Sequence, residues 1–206
     1  MSVAAGGLVL SPPVSIAQAL TRTPPQVTGP FYPDMKPLDQ DADLTVIEGR
    51  TARAAGQVLH IMGRLLDRNA RPIVDAHIEI WQANTHGRYS HPRDRNPAPL
   101  DPNFQGYTSL MTDSEGRYRF KTIKPGAYPQ SAEIMRPPHI HFEIASKRDH
   151  LVTQMYFPDE PLNENDIFLR RAGADAKRLI VSLRAPTPEM EPDSRLGVWD
   201  IVLGEG

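Results

Sequence analysis

The 206 residues carry 23 lysines and arginines against 25 aspartates and glutamates, a formal charge of -2 with no basic run, so nothing electrostatic proposes nucleic acid or an anionic membrane as partner. There is no cysteine, which excludes disulfides, zinc-thiolate sites, iron-sulfur clusters and a thiol nucleophile; any metal must sit on oxygen and nitrogen. The length suits one domain with a substantial core, and 21 prolines favour short strands and ordered loops over long helices.

At the N-terminus, Val3 to Leu10 are small and apolar, and Ile16-Ala17-Gln18-Ala19 ends in an Ala-x-Ala-like pattern without a preceding basic region. Residues 1–27 therefore read either as the remnant of an export signal, which favours an exported or periplasmic location, or as an arm of a cytoplasmic protein that packs on a neighbouring subunit. The folded domain is expected over residues 28–206. No stretch is long enough to span a membrane.

His60 to Leu66 and Ala76 to Gln82 read as strands around the turn Asp67-Arg68-Asn69-Ala70-Arg71-Pro72, a hairpin-like start. Beyond them, Ala83 to Phe104 is a polar, proline-bearing loop with no periodicity, long enough to be functional rather than a simple connector. Thr108 to Met111 and Arg117 to Thr122 flank Asp113-Ser114-Glu115-Gly116, a second hairpin signal. Further strands are expected at His139 to Ala145, Leu151 to Phe157, Arg178 to Leu183 and Val198 to Leu203, with one short helix over Asp166 to Ala172. The fold class this predicts is mostly β: a two-sheet antiparallel β-sandwich with little helix and long active-site loops over one end.

Within the strand from His139, the two imidazoles of His139-Ile140-His141 share one face while Ile140 takes the other, a chelating geometry. Imidazole alone suits several metals; two ionisable phenols, Tyr89 and Tyr128, would shift the preference to a hard trivalent ion, and ferric iron is the expected metal. Each residue also has a plainer reading, a structural histidine or a buried ring with a bonded hydroxyl. A cupin-like site would want a downstream glutamate and a third, later histidine. Glu143 shares the strand face of the pair, and His150 is the only later histidine, so that arrangement fits poorly, although a divalent-metal hydrolase or oxygenase stays open as a competing class.

The motifs in order are Thr28-Gly29-Pro30-Phe31-Tyr32-Pro33, Glu79-Ile80-Trp81-Gln82-Ala83-Asn84 leading to Gly87-Arg88-Tyr89, and Pro99-Leu100-Asp101-Pro102-Asn103-Phe104. They continue with Thr122-Ile123-Lys124-Pro125-Gly126 before Tyr128, Arg136-Pro137-Pro138-His139-Ile140-His141-Phe142, and Thr153-Gln154-Met155-Tyr156-Phe157. Jointly, from Thr28 to the C-terminus, they resemble the intradiol ring-cleaving dioxygenases, in particular the protocatechuate 3,4-dioxygenase branch with its iron-bearing beta subunit.

That resemblance implies a non-haem Fe(III) with Tyr89 and His139 as equatorial ligands, Tyr128 and His141 as axial ones and a solvent hydroxide as fifth. Two tyrosinates and one hydroxide balance the +3 ion, and a neutral core tolerates burial. The implied partners are protocatechuate or a related catechol and dioxygen, and the implied product is a cis,cis-muconate-type diacid, with Tyr128 taking up a substrate proton. Arg136 is similar to the family arginine that stabilises negative charge developing on the ring, and Gln154 to an outer glutamine near it. Their plain readings are a surface ion pair and a strand amide bonded to backbone.

The departures bear on substrate. The segment from Tyr128 to Arg136 is shorter than in the protocatechuate enzymes, and Gln130 stands where the iron-bearing subunit usually has tryptophan, which opens the substrate range to other catechols or to trihydroxybenzenes. A metal-free β-sandwich binding module is the remaining alternative. The proline-rich arm from Pro12 to Pro33 and the symmetry habits of soluble enzymes predict a homo-oligomer, with a second, metal-free subunit type left open.

Overall fold

The computed structural model describes residues 19–131 and 133–204; most of the signal-like stretch, residues 1–18, lies outside them. Among the described residues the chain runs through β1 (Val58–Leu66), β2 (His77–Gln82), β3 (Tyr107–Met111), β4 (Arg117–Ile123), β5 (Tyr128–Pro129), β6 (Met135–Arg136), β7 (His139–Ala145) and β8 (His150–Tyr156). Then come a 3₁₀ turn (Pro161–Asn165), the helix α1 (Ile167–Arg171), a second 3₁₀ turn (Gly173–Leu179), and the strands β9 (Ser182–Arg184), β10 (Arg195–Val198) and β11 (Ile201–Val202).

Apart from β5 and β6, which pair with each other, these strands form the expected mostly-β architecture of two packed sheets. In the first, β1 pairs antiparallel with β4 and parallel with β10 and β11, and β9 closes the edge beside β10. The second sheet has the order β3-β2-β7-β8, antiparallel throughout. Period-2 alternation supplies the core between them: Ile78 and Ile80 of β2 and Ile140, Phe142 and Ile144 of β7 face Ile61, Leu65 and Phe120 of the first sheet, and all are buried. Each such side chain contributes on the order of 1.5–3 kcal/mol through the apolar area it removes from water.

The turns at Asp67 and Asp113 are present, closed by Asp67 N–H to Arg71 O at 2.9 Å and by Gly116 N–H to Asp113 O at 2.9 Å. They are not hairpins, however. Past each turn the chain changes sheet: β1 and β4 belong to the first, β2 and β3 to the second. Alternation assigns every strand an inward face, but both sheets turn such a face to the same core, so the pattern does not say which sheet a strand joins.

Two other expectations are corrected. The strand expected from Arg178 to Leu183 starts later: Arg178 and Leu179 end the second 3₁₀ turn, held by Arg178 Nε to Asp175 (3.0 Å) and by Trp199 Nε1 to the Arg178 carbonyl (2.8 Å), Ile180 makes a single bridge to Tyr156, and the strand is Ser182–Arg184. The strand expected from Val198 to Leu203 is broken at Trp199 and Asp200. There the Trp199 carbonyl sits against Gly63, where a Cβ would lie 1.9 Å away, and Asp200 accepts the Arg64 amide at 2.8 Å.

The loops are also placed differently from expectation. Residues alternating with the core positions, among them Trp81, His139 and His141, point to the outer face of the second sheet, yet all three are buried. Loops roof this outer face instead of capping an end of the sandwich. Under them lies a second, aromatic cluster of Trp81, Tyr89, Tyr107 and Tyr128 with Phe31 and Tyr32 packed against it. The segment that brings Phe31 there is strapped to the chain's own body, with Thr23 N–H to Val202 O at 2.9 Å and Gln26 N–H to Val152 O at 2.8 Å.

Candidate metal centre

His139 and His141 stand on β7, between β2 and β8, with Trp81 and Gln154 in register on either side of His141. The Nδ1 of His139 lies 2.7 Å from the Pro137 carbonyl. A carbonyl only accepts, so Nδ1 carries the proton and the Nε2 lone pair is free. That lone pair points at His141 Nε2, 3.2 Å away. His141 stacks on the Trp81 indole, with centroids 4.8 Å apart and planes 8° from parallel, and its Nδ1 faces the Val27 carbonyl without closing a well-shaped hydrogen bond. Burial, then the nearby Arg136 charge, push His141 down to about 3 and His139 well below the usual histidine range, so both rings are neutral and available as donors.

The tyrosines come from irregular segments. Tyr89 sits in the long loop after β2, which Asn84 organises: its side-chain oxygen accepts the amides of His86 (2.9 Å) and Arg88 (3.0 Å), and its amide donates to the Pro99 carbonyl (2.9 Å). Asp94 then accepts the Tyr89 amide at 2.7 Å. Tyr128 opens β5 and is paired directly with Arg136 of β6. The two segments touch through the glycines that precede each tyrosine by two residues. A Cβ on Gly87 (φ +74°) would lie 2.0 Å from the Ala127 carbonyl, and one on Gly126 would lie 2.5 Å from Gly87 N. The repeated Gly-x-Tyr spacing thus has a steric reason: only glycine lets the two backbones approach this closely.

The four rings converge. Centroids are 4.8 Å apart for His139 and His141, 5.6 Å for Tyr128 and His139, 5.5 Å for Tyr89 and Tyr128, and 6.3 Å for Tyr89 and His141. Burial raises both phenols above the usual tyrosine range, Arg136 pulling both the other way, so without a cation they stay protonated. Two imidazole nitrogens facing each other at contact distance, with two phenols beside them, form a donor set that a hard trivalent cation fits, since such an ion would ionise the phenols and separate the lone pairs. Among the described residues, no group of three or more His, Asp or Glu side chains is placed to hold a metal, so the donors of a cupin-like site are not gathered here.

Phe31 packs on Tyr89 (4.8 Å) and on Tyr128 (5.9 Å), Gly29 passes over His141, and Tyr32 meets Trp81 edge-on at 5.0 Å. The strap is anchored by Glu79, a buried carboxylate that accepts from the Tyr32 hydroxyl and the Lys36 ammonium. A cavity of about 120 Å³ opens beside Tyr89, Trp81 and Phe31. A concavity of about 790 Å³ lies at the other end of β3, near Met111 and Arg117, and none of the four rings lines it.

Arg136 is 2 % exposed, so it is no surface ion pair. Its Nε donates to Asp166 at 2.5 Å, and its Nη2 to Gln154 Oε1 at 2.8 Å and the Tyr156 hydroxyl at 3.0 Å. Gln154, fully buried, accepts from Arg136 and donates to the Val27 carbonyl at 2.8 Å, joining the arginine to the strap. Gln130 is exposed at the tip of the β5–β6 hairpin, its amide bonded to the Ile134 carbonyl at 2.8 Å. Phe31, Trp81, Tyr156 and Asp166 belong to the same assembly but were not singled out from sequence. The clue for Asp166 was local: an aspartate at the start of an expected helix.

A family model described as "Dioxygenase" matches residues 27–205. The beta chain of protocatechuate 3,4-dioxygenase from Burkholderia cepacia is 45% identical over 176 residues, covering 82% of this chain and 73% of its own length. The alpha chain of protocatechuate 3,4-dioxygenase from Pseudomonas putida is 29% identical over 150 residues, covering 69% of this chain and 73% of its own. Among solved structures, the dioxygenase domain of a dioxygenase carbohydrate-binding protein fusion from Streptomyces sp. SirexAA-E superimposes with a TM-score of 0.68 at 27% identity, covering 90% of this chain and all of that one.

Proposed function

This chain belongs to the intradiol dioxygenase family, whose members are aromatic ring-cleaving enzymes acting on catechols and generally dependent on non-haem iron, and we propose that it holds Fe(III) through Tyr89, Tyr128, His139 and His141 to cleave protocatechuate or a related substituted catechol with dioxygen. The observation that carries this reading is the convergence of two neutral imidazoles and two buried phenols in a site with no competing carboxylate among the described residues. The product is a cis,cis-muconate-type diacid.

Ferric iron bound there would supply a Lewis-acidic centre that takes both catechol oxygens and draws electron density from the ring toward reaction with dioxygen. The protein does the rest. A catechol must lose two protons to bind through both oxygens; Tyr128 Oη, buried beside Arg136, would accept one of them and the solvent hydroxide of the site the other. Arg136, held beside Tyr128, offers a fixed positive charge to the ring as negative charge develops there. Phe31 and the strap keep water off the phenols. The short β5–β6 segment with Gln130 in place of a tryptophan keeps other catechols or trihydroxybenzenes in the substrate range. For assembly we infer a homo-oligomer; the similarity to both an alpha and a beta chain keeps a second subunit type as the alternative.

The visible spectrum of the iron-loaded protein tests the reading, recorded before and after anaerobic protocatechuate. A broad tyrosinate band that moves to lower energy with substrate, and that weakens or shifts in Tyr89→Phe and Tyr128→Phe, is expected. A colourless protein, or a spectrum unchanged in both variants, overturns it.

A further inference from the structure

We propose that Asp166 is a positioning residue for the reaction, fixing the plane of the Arg136 guanidinium and therefore the edge that Arg136 presents to Tyr128 and to the substrate ring. The proposal rests on the metal-centre reading above.

A guanidinium is flat, with five N–H donors in a rigid fork, so fixing two edges fixes the third. Asp166 Oδ2 takes the Nε edge at 2.5 Å. The Nη2 edge goes to Gln154 and Tyr156, and the Phe168 ring lies against the guanidinium carbon at 4.4 Å, setting the plane. Nη1 is the edge left over, and Tyr128, the cross-strand partner of Arg136, lies close enough to feel its charge.

Asp166 is itself held. Its other oxygen, Oδ1, accepts the amides of Phe168 (3.1 Å) and Leu169 (2.8 Å) as the N-cap of α1, and lies 3.2 Å from the Tyr156 hydroxyl. The carboxylate thus has one oxygen on the backbone of α1 and one on the arginine. Both side chains of the pair are almost fully buried, at 3% and 1% exposed. Gln154 and Tyr156 are neutral, so Asp166 alone of the three partners supplies a counter-charge, and a buried arginine without one would reorient or draw in water. Capping alone accounts for Oδ1; it leaves the contact of Oδ2 with Arg136 unexplained.

Asp166→Asn separates the two roles, because asparagine caps a helix about as well as aspartate but carries no charge. In the iron-loaded full chain we expect Asp166→Asn to keep its iron content and its fold at the assay temperature, with a lowered melting temperature because the buried Arg136 loses its counter-charge. Its kcat/KM for protocatechuate should fall about ten- to a hundredfold, mostly in kcat, as when outer partners of functional groups are removed. Arg136→Gln should lose at least as much, and the double variant no more than Arg136→Gln alone. A readout independent of turnover is the Arg136 Nε–H resonance of the metal-free protein, expected to exchange slowly with solvent in the wild type and faster in Asp166→Asn. Should Asp166→Asn fail to fold, Asp166→Ser, also a good cap, takes its place, and the wild-type resonance needs no variant. Wild-type kcat/KM in Asp166→Asn, multiplying losses in the double variant, or a fast-exchanging wild-type Nε–H each overturn the proposal. If the wild type has neither the tyrosinate band nor turnover, the metal-centre reading fails and takes this one with it; an active wild type with an equally active Asp166→Asn sinks the role of Asp166 alone.

Discussion

The two halves of the ring cluster are built in opposite ways. His139 and His141 stand on an inner strand, where ladders to β2 and β8 fix the backbone and the two-residue period does the aiming. Tyr89 and Tyr128 come from a long loop and a two-residue strand, where no period helps, and each is placed by individually assigned bonds: the Asn84 turn, the Asp94 acceptor, the Gly87–Gly126 contact. A strand delivers donors through register, whereas a loop delivers them through side chains and glycines that have no other task. The strand half should therefore fail only when a ring is removed, and the loop half whenever its backbone is disturbed.

The sharpest break is Gly87→Ala. It combines a left-handed backbone, which costs about 1–2 kcal/mol for a residue with a Cβ, with a Cβ driven to 2.0 Å from the Ala127 carbonyl. A total loss of roughly 3 kcal/mol or more by chemical denaturation is expected, with iron content lost because both phenols move. Gly173→Ala is the control: φ is also positive (+57°) but nothing lies within 4 Å, so only the backbone cost of about 1–2 kcal/mol should appear, with iron binding intact. On the strand side, His141→Ala should cost about 1–3 kcal/mol through the lost Trp81 stack and the cavity left behind. Its iron should no longer survive gel filtration, while the circular dichroism of the sheet stays unchanged.

Asn84→Ala comes next. It leaves the His86 and Arg88 amides and the Pro99 carbonyl without their side-chain partner, about 1 kcal/mol, and should weaken iron retention in a chelator competition because the loop that carries Tyr89 loosens. The smallest effect lies on the outer face of the first sheet, where Lys121 and then His60 hold Glu191 down to about 2. A lowered carboxylate pKa contributes stability that is complete above the unfolded value near 4.5 and is lost as pH falls toward 2. Glu191→Gln should therefore be less stable at pH 6, by no more than about 0.5 kcal/mol because the carboxylate is 42% exposed and screened. The gap should close by pH 2 to 3, with the visible spectrum the same throughout.

The same contrast explains what was legible beforehand. His139–Ala145 was read with its observed bounds because His-Ile-His-Phe-Glu-Ile-Ala alternates cleanly, and that alternation also put Ile140, Phe142 and Ile144 in the core. The Gly-x-Tyr motifs marked the phenols, but their steric reason appears only when two distant loops touch. Sheet membership was not legible, since Asp113 turns just as tightly whether the chain returns along its own sheet or crosses to the other. Nor was Asp166, whose bond to Arg136 spans 30 residues and depends on how α1 docks against β8. Trp81 and Phe31 stand in their motifs with no role of their own in the sequence. Their place over the ring cluster follows from the loops having closed over the outer face of a sheet, which composition and period do not distinguish from the inner one.

The strap over the rings begins with Thr23 bonded on both sides to Val202, its amide to the Val202 carbonyl and its hydroxyl accepting the Val202 amide. Two segments 179 residues apart are thus fastened to each other. All four ring residues lie between the two ends of this bond in chain order, so the loop it closes encloses the whole cluster. Closing so long a loop carries an entropic cost that grows only slowly with length, and one pair of bonds at Thr23 then ties the cover of the rings to the edge of the opposite sheet.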